Sequence, residues 1–140
     1  MSRRIESESE VQTVEAGRTF AEQVGAGDVV LLSGALGAGK TAFVRGLAAG
    51  LGADPAAVSS PTFTIVQEYR GAVVLQHVDL YRLRPVEVDD LGLEELMSDA
   101  VLAVEWPDRW QDPPPTAIRI SIEPGKGDRR TITIARPQPR

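Results

Sequence analysis

LLSGALGAGKTAFVRGL, residues 31–47, decides the fold. Gly34, Gly39, Lys40 and Thr41 stand at the spacing G-x-x-x-x-G-K-[ST], and this chain's own residue frequencies give roughly 0.002 accidental matches. Glycine lets backbone N–H groups turn inward and approach phosphate oxygens without a Cβ clash. Lys40 supplies a mobile positive charge for the outer phosphates, and the Thr41 hydroxyl is an oxygen ligand of the kind Mg²⁺ prefers. The whole run Gly34, Ala35, Leu36, Gly37, Ala38, Gly39, Lys40, Thr41 and Ala42 is therefore the expected phosphate cradle. Its setting agrees. VVLLS (29–33) is a short apolar run suited to a strand buried on both faces. Residues 41–51 then place Phe43, Val44, Leu47, Ala48 and Leu51 on one helical side, and that helix aims its positive end at the anion.

A cradle alone hydrolyses nothing. A nucleotide site also needs a carboxylate for the metal and a group to orient attacking water. Such acids sit at the carboxyl ends of sheet strands. Asp79 ends VVLQHVD and Glu105 ends VLAVE, so both are candidates beside Lys40 for the catalytic set. Thr41 and Glu105 are the expected metal ligands, although the sequence leaves open which acid holds metal and which orients water. His77 lies two residues before Asp79 and faces the same side of the strand. SSPTFT (59–64) is a hydroxyl-rich loop after the cradle helix, in the order in which switch-type hydrolases bring a threonine to metal and γ-phosphate.

The rest of the chain supplies an α/β frame. Residues 13–24 read as a helix with Thr13 as N-cap and Val14, Gly17, Ala21 and Val24 on one face. Residues 63–69 and 72–80 read as a hairpin around Arg70 and Gly71, and residues 101–106 as a buried strand. AIRISIE and RTITIA alternate around PGKGD and form a terminal hairpin. The acidic stretch 86–99 holds Glu87, Asp89, Asp90, Glu94, Glu95 and Asp99 and reads as a partly helical, solvated face. Residues 1–12 and 136–140 read as flexible tails around one domain at 13–135.

Composition excludes several classes. There is no cysteine and one histidine, so neither disulfides nor a zinc-type site can be built. No run of about 18 apolar residues occurs, and two early arginines lack an apolar segment behind them, so membrane and secretory readings are disfavoured and the cytoplasm is the expected location. Net charge is −5 and the pI near 4.9, which argues against direct, tight nucleic-acid binding.

Four segments in this order, LSGALGAGKTAFVRGL, SSPTFTIVQEY, HVDLYRL and VEWPDRW, resemble the TsaE family of bacterial tRNA threonylcarbamoyladenosine biosynthesis. The likeness runs from about residue 13 to residue 110. It implies a P-loop NTPase-like single domain, with a mixed sheet flanked by helices and a C-terminal hairpin. It also implies weak Mg²⁺-dependent ATP hydrolysis and action with TsaB and TsaD, with tRNA met only indirectly through that complex. Residue by residue, Lys40 and Thr41 take the phosphate and Mg²⁺ positions, and Thr62 and Thr64 match the switch-like loop. Asp79 matches the acid of H-x-D-x-Y-R, and Glu105 that of E-W-P. His77 and Trp106 are expected near the nucleotide or a partner. Tyr81 and Arg82 also match. One departure is Ala42, where many relatives carry a second threonine.

Two other classes compete. A small-molecule kinase needs an acceptor pocket and a mobile lid, for which little chain remains. A nucleotide-dependent binding module without useful hydrolysis needs no working carboxylates.

Overall fold

The computed structural model describes residues 2–35, 37–58 and 65–137. Its frame is one mixed sheet of seven strands in the order β1-β7-β6-β2-β5-β4-β3. The strands are β1 (Ser2–Ser7), β2 (Val29–Ser33), β3 (Val66–Tyr69), β4 (Val74–Asp79), β5 (Ala100–Glu105), β6 (Ile118–Pro124) and β7 (Arg130–Ala135). β2 lies at the centre and runs parallel to both β5 and β6, and β4 runs parallel to β5. β3, β7 and β1 complete the edges in antiparallel pairings.

β2 and β5 carry apolar residues in succession because both faces of the sheet are covered there. On one face Val30, Leu32, Val101 and Ala103 meet helices α1 (Glu10–Phe20) and α2 (Lys40–Gly50) through Phe20, Phe43 and Leu47. On the other, Leu31, Leu102 and Val104 meet α3 (Pro85–Asp89), α4 (Leu93–Leu96) and Trp110. The acids of α3 and α4 point outward while Val88 and Leu93 are buried, so this segment is a solvated lid on the second face.

The buried strands at 29–33 and 101–106 and the terminal hairpin fall within a residue of where the sequence places them; the strand expected at 63–69 begins at Val66, with residues 63–64 outside those described, and its partner spans Val74–Asp79. The N-terminus differs. Residues 2–7 are a strand paired along its length with β7, and not a tail. SRRIES carries no apolar alternation because β1 is an edge strand, held by backbone bonds and dressed with charges that discourage further pairing. Helix α1 accordingly starts earlier than expected. Ser9 is its N-cap, with Oγ accepting from the Gln12 N–H at 3.1 Å, and Gln12 Oε1 accepts from the Glu8 N–H at 2.7 Å. Thr13 is inside the helix, and the buried face is Thr13, Ala16, Gly17 and Phe20.

α1 and α2 cross at contact distance. A Cβ built on Gly17 would lie 2.1 Å from the Phe43 carbonyl oxygen, and one on Gly46 would lie 1.8 Å from that of Val14. Each helix offers the other a bare Cα, and this seats α2 on the sheet beside α1. Gly46→Ala gains about 1 kcal/mol of helix propensity but forces the backbones apart, an overpacking loss of about 3 kcal/mol. The urea midpoint should fall by the equivalent of about 2 kcal/mol with unchanged m. Gly25→Ala, where nothing lies within 4 Å, should move it by less than about 0.5 kcal/mol.

Candidate functional site

The chain leaves β2 at Ser33 and re-enters regular structure at Lys40, so the cradle lies over the carboxyl end of the central strand. Two glycines shape it. Gly39 is the N-cap of α2 at φ 105°, a left-handed conformation that side chains disfavour. A Cβ on Gly34 would lie 2.6 Å from the Ile122 carbonyl oxygen. Gly39 provides no side-chain cap and α2 has no acid in its first turn, so the N–H groups at its start are open to an anion.

A cleft of about 340 Å³ opens above this turn, within the range of small-ligand sites. Lys40, Thr41, Asp79, Glu105 and Trp106 all line it, together with Gly37, Gly39 and Ala42. Asp79 and Glu105 are register partners on the parallel pair β4 and β5, so their side chains leave the sheet on the same side. The expected cradle, the two strand-end acids and the tryptophan are thus brought together. Leu36, Thr62 and Thr64 lie outside the described residues.

Lys40 is 5% exposed, and its Nζ donates to the Gly34 carbonyl at 2.7 Å. It also lies 3.9 Å from Glu105 Oε1 and 4.0 Å from the centre of the Trp106 ring. Burial pushes the ammonium below the ordinary lysine value, against the pull of Glu105, Asp79 and Asp108. Trp106 reaches it because the backbone there takes φ 58°, the one positive φ at a non-glycine among the described residues. Such a conformation costs roughly 1–2 kcal/mol, and the ring is held in place by Tyr81 with centroids 4.9 Å apart.

His77 lies behind the cleft wall. It is 1% exposed and does not itself line the cleft. Its Nε2 lies 2.5 Å from Glu105 Oε2. Among the described residues Nδ1 has no hydrogen-bond partner, so this contact is the imidazole's one hydrogen bond. His77 therefore anchors the acid that faces Lys40. Asp79 is freer: its Oδ1 accepts from the Tyr81 N–H at 2.9 Å. Burial raises its pKa above the ordinary aspartate value, with Glu105 adding to the rise and the Tyr81 N–H, His77 and Lys40 opposing it.

The opposite wall of the cleft was not foreseen from sequence. Glu10 and Thr13 of α1, Arg45 of α2, and Asp128 and Arg130 of the terminal hairpin form it. No local motif marks them. They converge only because β7 and β1 sit on the far side of β6, and Thr13 is fixed there by Ser7 Oγ at 2.7 Å.

Among the described residues no group of three or more His, Cys, Asp or Glu side chains could cage a metal by itself. Mg²⁺ needs no such cage, since it takes one or two carboxylates and otherwise water and phosphate oxygens. The Thr41 hydroxyl and the two strand-end carboxylates are a donor set of that kind.

Because the folded-state pKa of Asp79 is raised, its ionisation opposes folding as pH rises through that pKa, and the penalty is absent below the unfolded value near 3.8. Asp79→Asn keeps an acceptor for the Tyr81 N–H and removes the charge. It should raise the melting temperature of the ligand-free protein at pH 8 by about 2 °C, with the difference vanishing toward pH 3.5.

The sequence profile described as "Threonylcarbamoyl adenosine biosynthesis protein TsaE" matches residues 7–132. A Nostoc protein named tRNA threonylcarbamoyladenosine biosynthesis protein TsaE is 42% identical over 129 residues, 87% of this chain and 78% of its own length. One of the same name from Treponema pallidum is 38% identical over 135 residues, covering 94% of this chain and 99% of that protein. A crystal structure of Bacillus subtilis YdiB superposes with a TM-score of 0.81 at 31% identity, over 99% of this chain and 87% of that one. With a central parallel strand, a glycine-rich turn and a helix start at its carboxyl end, the fold is P-loop NTPase-like, and the chain belongs to the TsaE family of tRNA threonylcarbamoyladenosine biosynthesis proteins.

Proposed function

We propose that this protein binds and hydrolyses ATP with Mg²⁺, and that hydrolysis supports turnover of TsaB and TsaD counterparts as they place the threonylcarbamoyl group on adenosine beside the tRNA anticodon. The observation that carries the reading is the meeting of Lys40, Thr41, Asp79 and Glu105 over one cleft at the carboxyl ends of β2, β4 and β5.

The β- and γ-phosphates rest against the N–H groups at the start of α2, and Lys40 leaves the Gly34 carbonyl to meet them. Thr41 and Glu105 hold Mg²⁺, which when bound stabilises charge on the phosphate oxygens. Glu105 suits that task because His77 fixes its orientation. Asp79 orients the attacking water; its raised pKa and partial exposure suit an acid that handles a proton. Ala42 offers its backbone N–H but no hydroxyl, which changes affinity modestly. An acidic chain has little to offer a phosphate backbone, so tRNA is met through the partners. The same reading places the work in the cytoplasm.

Glu105→Ala and Asp79→Ala should each lower ATP turnover by at least about 100-fold while nucleotide binding persists. Wild-type turnover equal to that of both variants, with partners present, would instead favour a binding module. Reconstitution with TsaB and TsaD counterparts, ATP and unmodified tRNA should give modification beyond one round. No gain over Lys40→Ala would sink the assignment.

A further inference from the structure

The terminal hairpin brings one cation to the cradle. Arg130 opens β7, and its Nη2 donates to the Gly37 carbonyl at 3.3 Å, bridging from a strand two places from β2 to the middle of the glycine-rich turn. Its Nη1 donates to the carbonyls of Gly127 and Arg129 at 2.9 and 2.8 Å. The guanidinium is thus held by three backbone oxygens. Among the described residues it forms no ion pair with a carboxylate, although Asp128 is two residues away. A guanidinium carries five N–H donors, and Nε is not among those engaged. A Cβ added to Gly39 would lie 3.6 Å from that Nε, so the spare donor borders the helix start where phosphate is expected.

Sheet order fixes which end of a nucleotide this cation can meet. β5 and β6 flank β2 on opposite sides. Asp79 and Glu105 occupy the β5 side, where bond cleavage would occur, and Arg130 stands on the β6 side. A polyphosphate laid across the turn with its reacting end at the carboxylates turns its nucleoside end to the hairpin. The companions of Arg130 there fit that end. Asp128 and Glu10 are acceptors, unsuited to phosphate but suited to ribose hydroxyls.

We propose that Arg130 is a nucleotide-binding residue that grips the α-phosphate from the terminal hairpin, setting affinity for nucleoside di- and triphosphates alike and leaving hydrolysis to the other wall. This rests on the nucleotide-site reading above. A charge-assisted contact desolvated by ligand is worth about a tenfold change in Kd. Lysine keeps charge but cannot span the turn and phosphate with one rigid fork.

Calorimetric titration of the full chain with ATP and with ADP tests it. Arg130→Ala should weaken both by about tenfold and by the same factor, with kcat at saturating ATP within about twofold of wild type. Arg130→Lys, which retains a cation for the Gly37 carbonyl, should weaken both by about threefold and melt within about 2 °C of wild type. Unchanged ADP affinity in Arg130→Ala would overturn the proposal, as would weakening confined to ATP or a loss in kcat at constant KM. Should Arg130→Ala fail to fold, wild-type affinity in Arg130→Lys would overturn it instead. Lys40→Ala separates the two readings. If it binds ATP as wild type does, the nucleotide site itself is wrong; if it weakens ATP and Arg130→Ala does not, only the role of Arg130 falls.

Discussion

Everything in this molecule hangs from the pairing of β2 with a parallel strand on either side. Leu32 lies opposite Glu105 of β5, and Ser33 opposite Ser121 of β6. The chain therefore leaves the sheet at its centre, between two covered faces. From there it must reverse and start a helix within six residues, which only a glycine-rich turn can do at this packing density. The same pairing sets Glu105 level with the end of β2, and β4 then sets Asp79 level with Glu105. The cradle and its acids follow from a single register. The glycine contact between α1 and α2 completes the arrangement by holding the cradle helix down on the sheet.

The site is the least comfortable part of the fold. An ammonium, a carboxylate and an imidazole are nearly sealed from water at Lys40, Glu105 and His77. Buried charges are destabilising unless paired, and pairing here is incomplete: Lys40 and Glu105 stand at 3.9 Å, and His77 keeps an unmatched nitrogen. Trp106 adds a strained backbone. Interior packing of β2, β5 and α2 offsets these losses. The result is a preorganised pocket whose groups are held by the scaffold before any phosphate enters.

What sequence reveals here is what is local. The cradle is a contiguous motif, and the two acids announce themselves as polar residues closing apolar runs, so their meeting could be foreseen from strand geometry alone. His77 could be put on the correct face by counting two residues from Asp79. Its bond to Glu105 crosses strands 28 positions apart and depends on a register that no pattern in either strand states. Arg130 is hidden for the same reason, since only the order β7-β6-β2 carries it to Gly37. β1 leaves no apolar alternation in the sequence because an edge strand needs none, and the true cap of α1, Ser9, lies in that same polar stretch, four residues before Thr13.

The edge pairing of β1 also constrains the order of assembly, because β1 cannot dock before β7 exists. Ser2 faces Ala135 and Ser7 faces Arg130, so β1 has as its partner a strand more than a hundred residues later in the chain. Until β7 is in place, a chain that already has its glycine-rich turn lacks one wall of the cleft, and β1 lacks its partner. Such a long sequence separation makes this closure slow relative to the local hairpins and helices. Until then β6 and β1 each lack a neighbour, and the same six residues of β7 serve both.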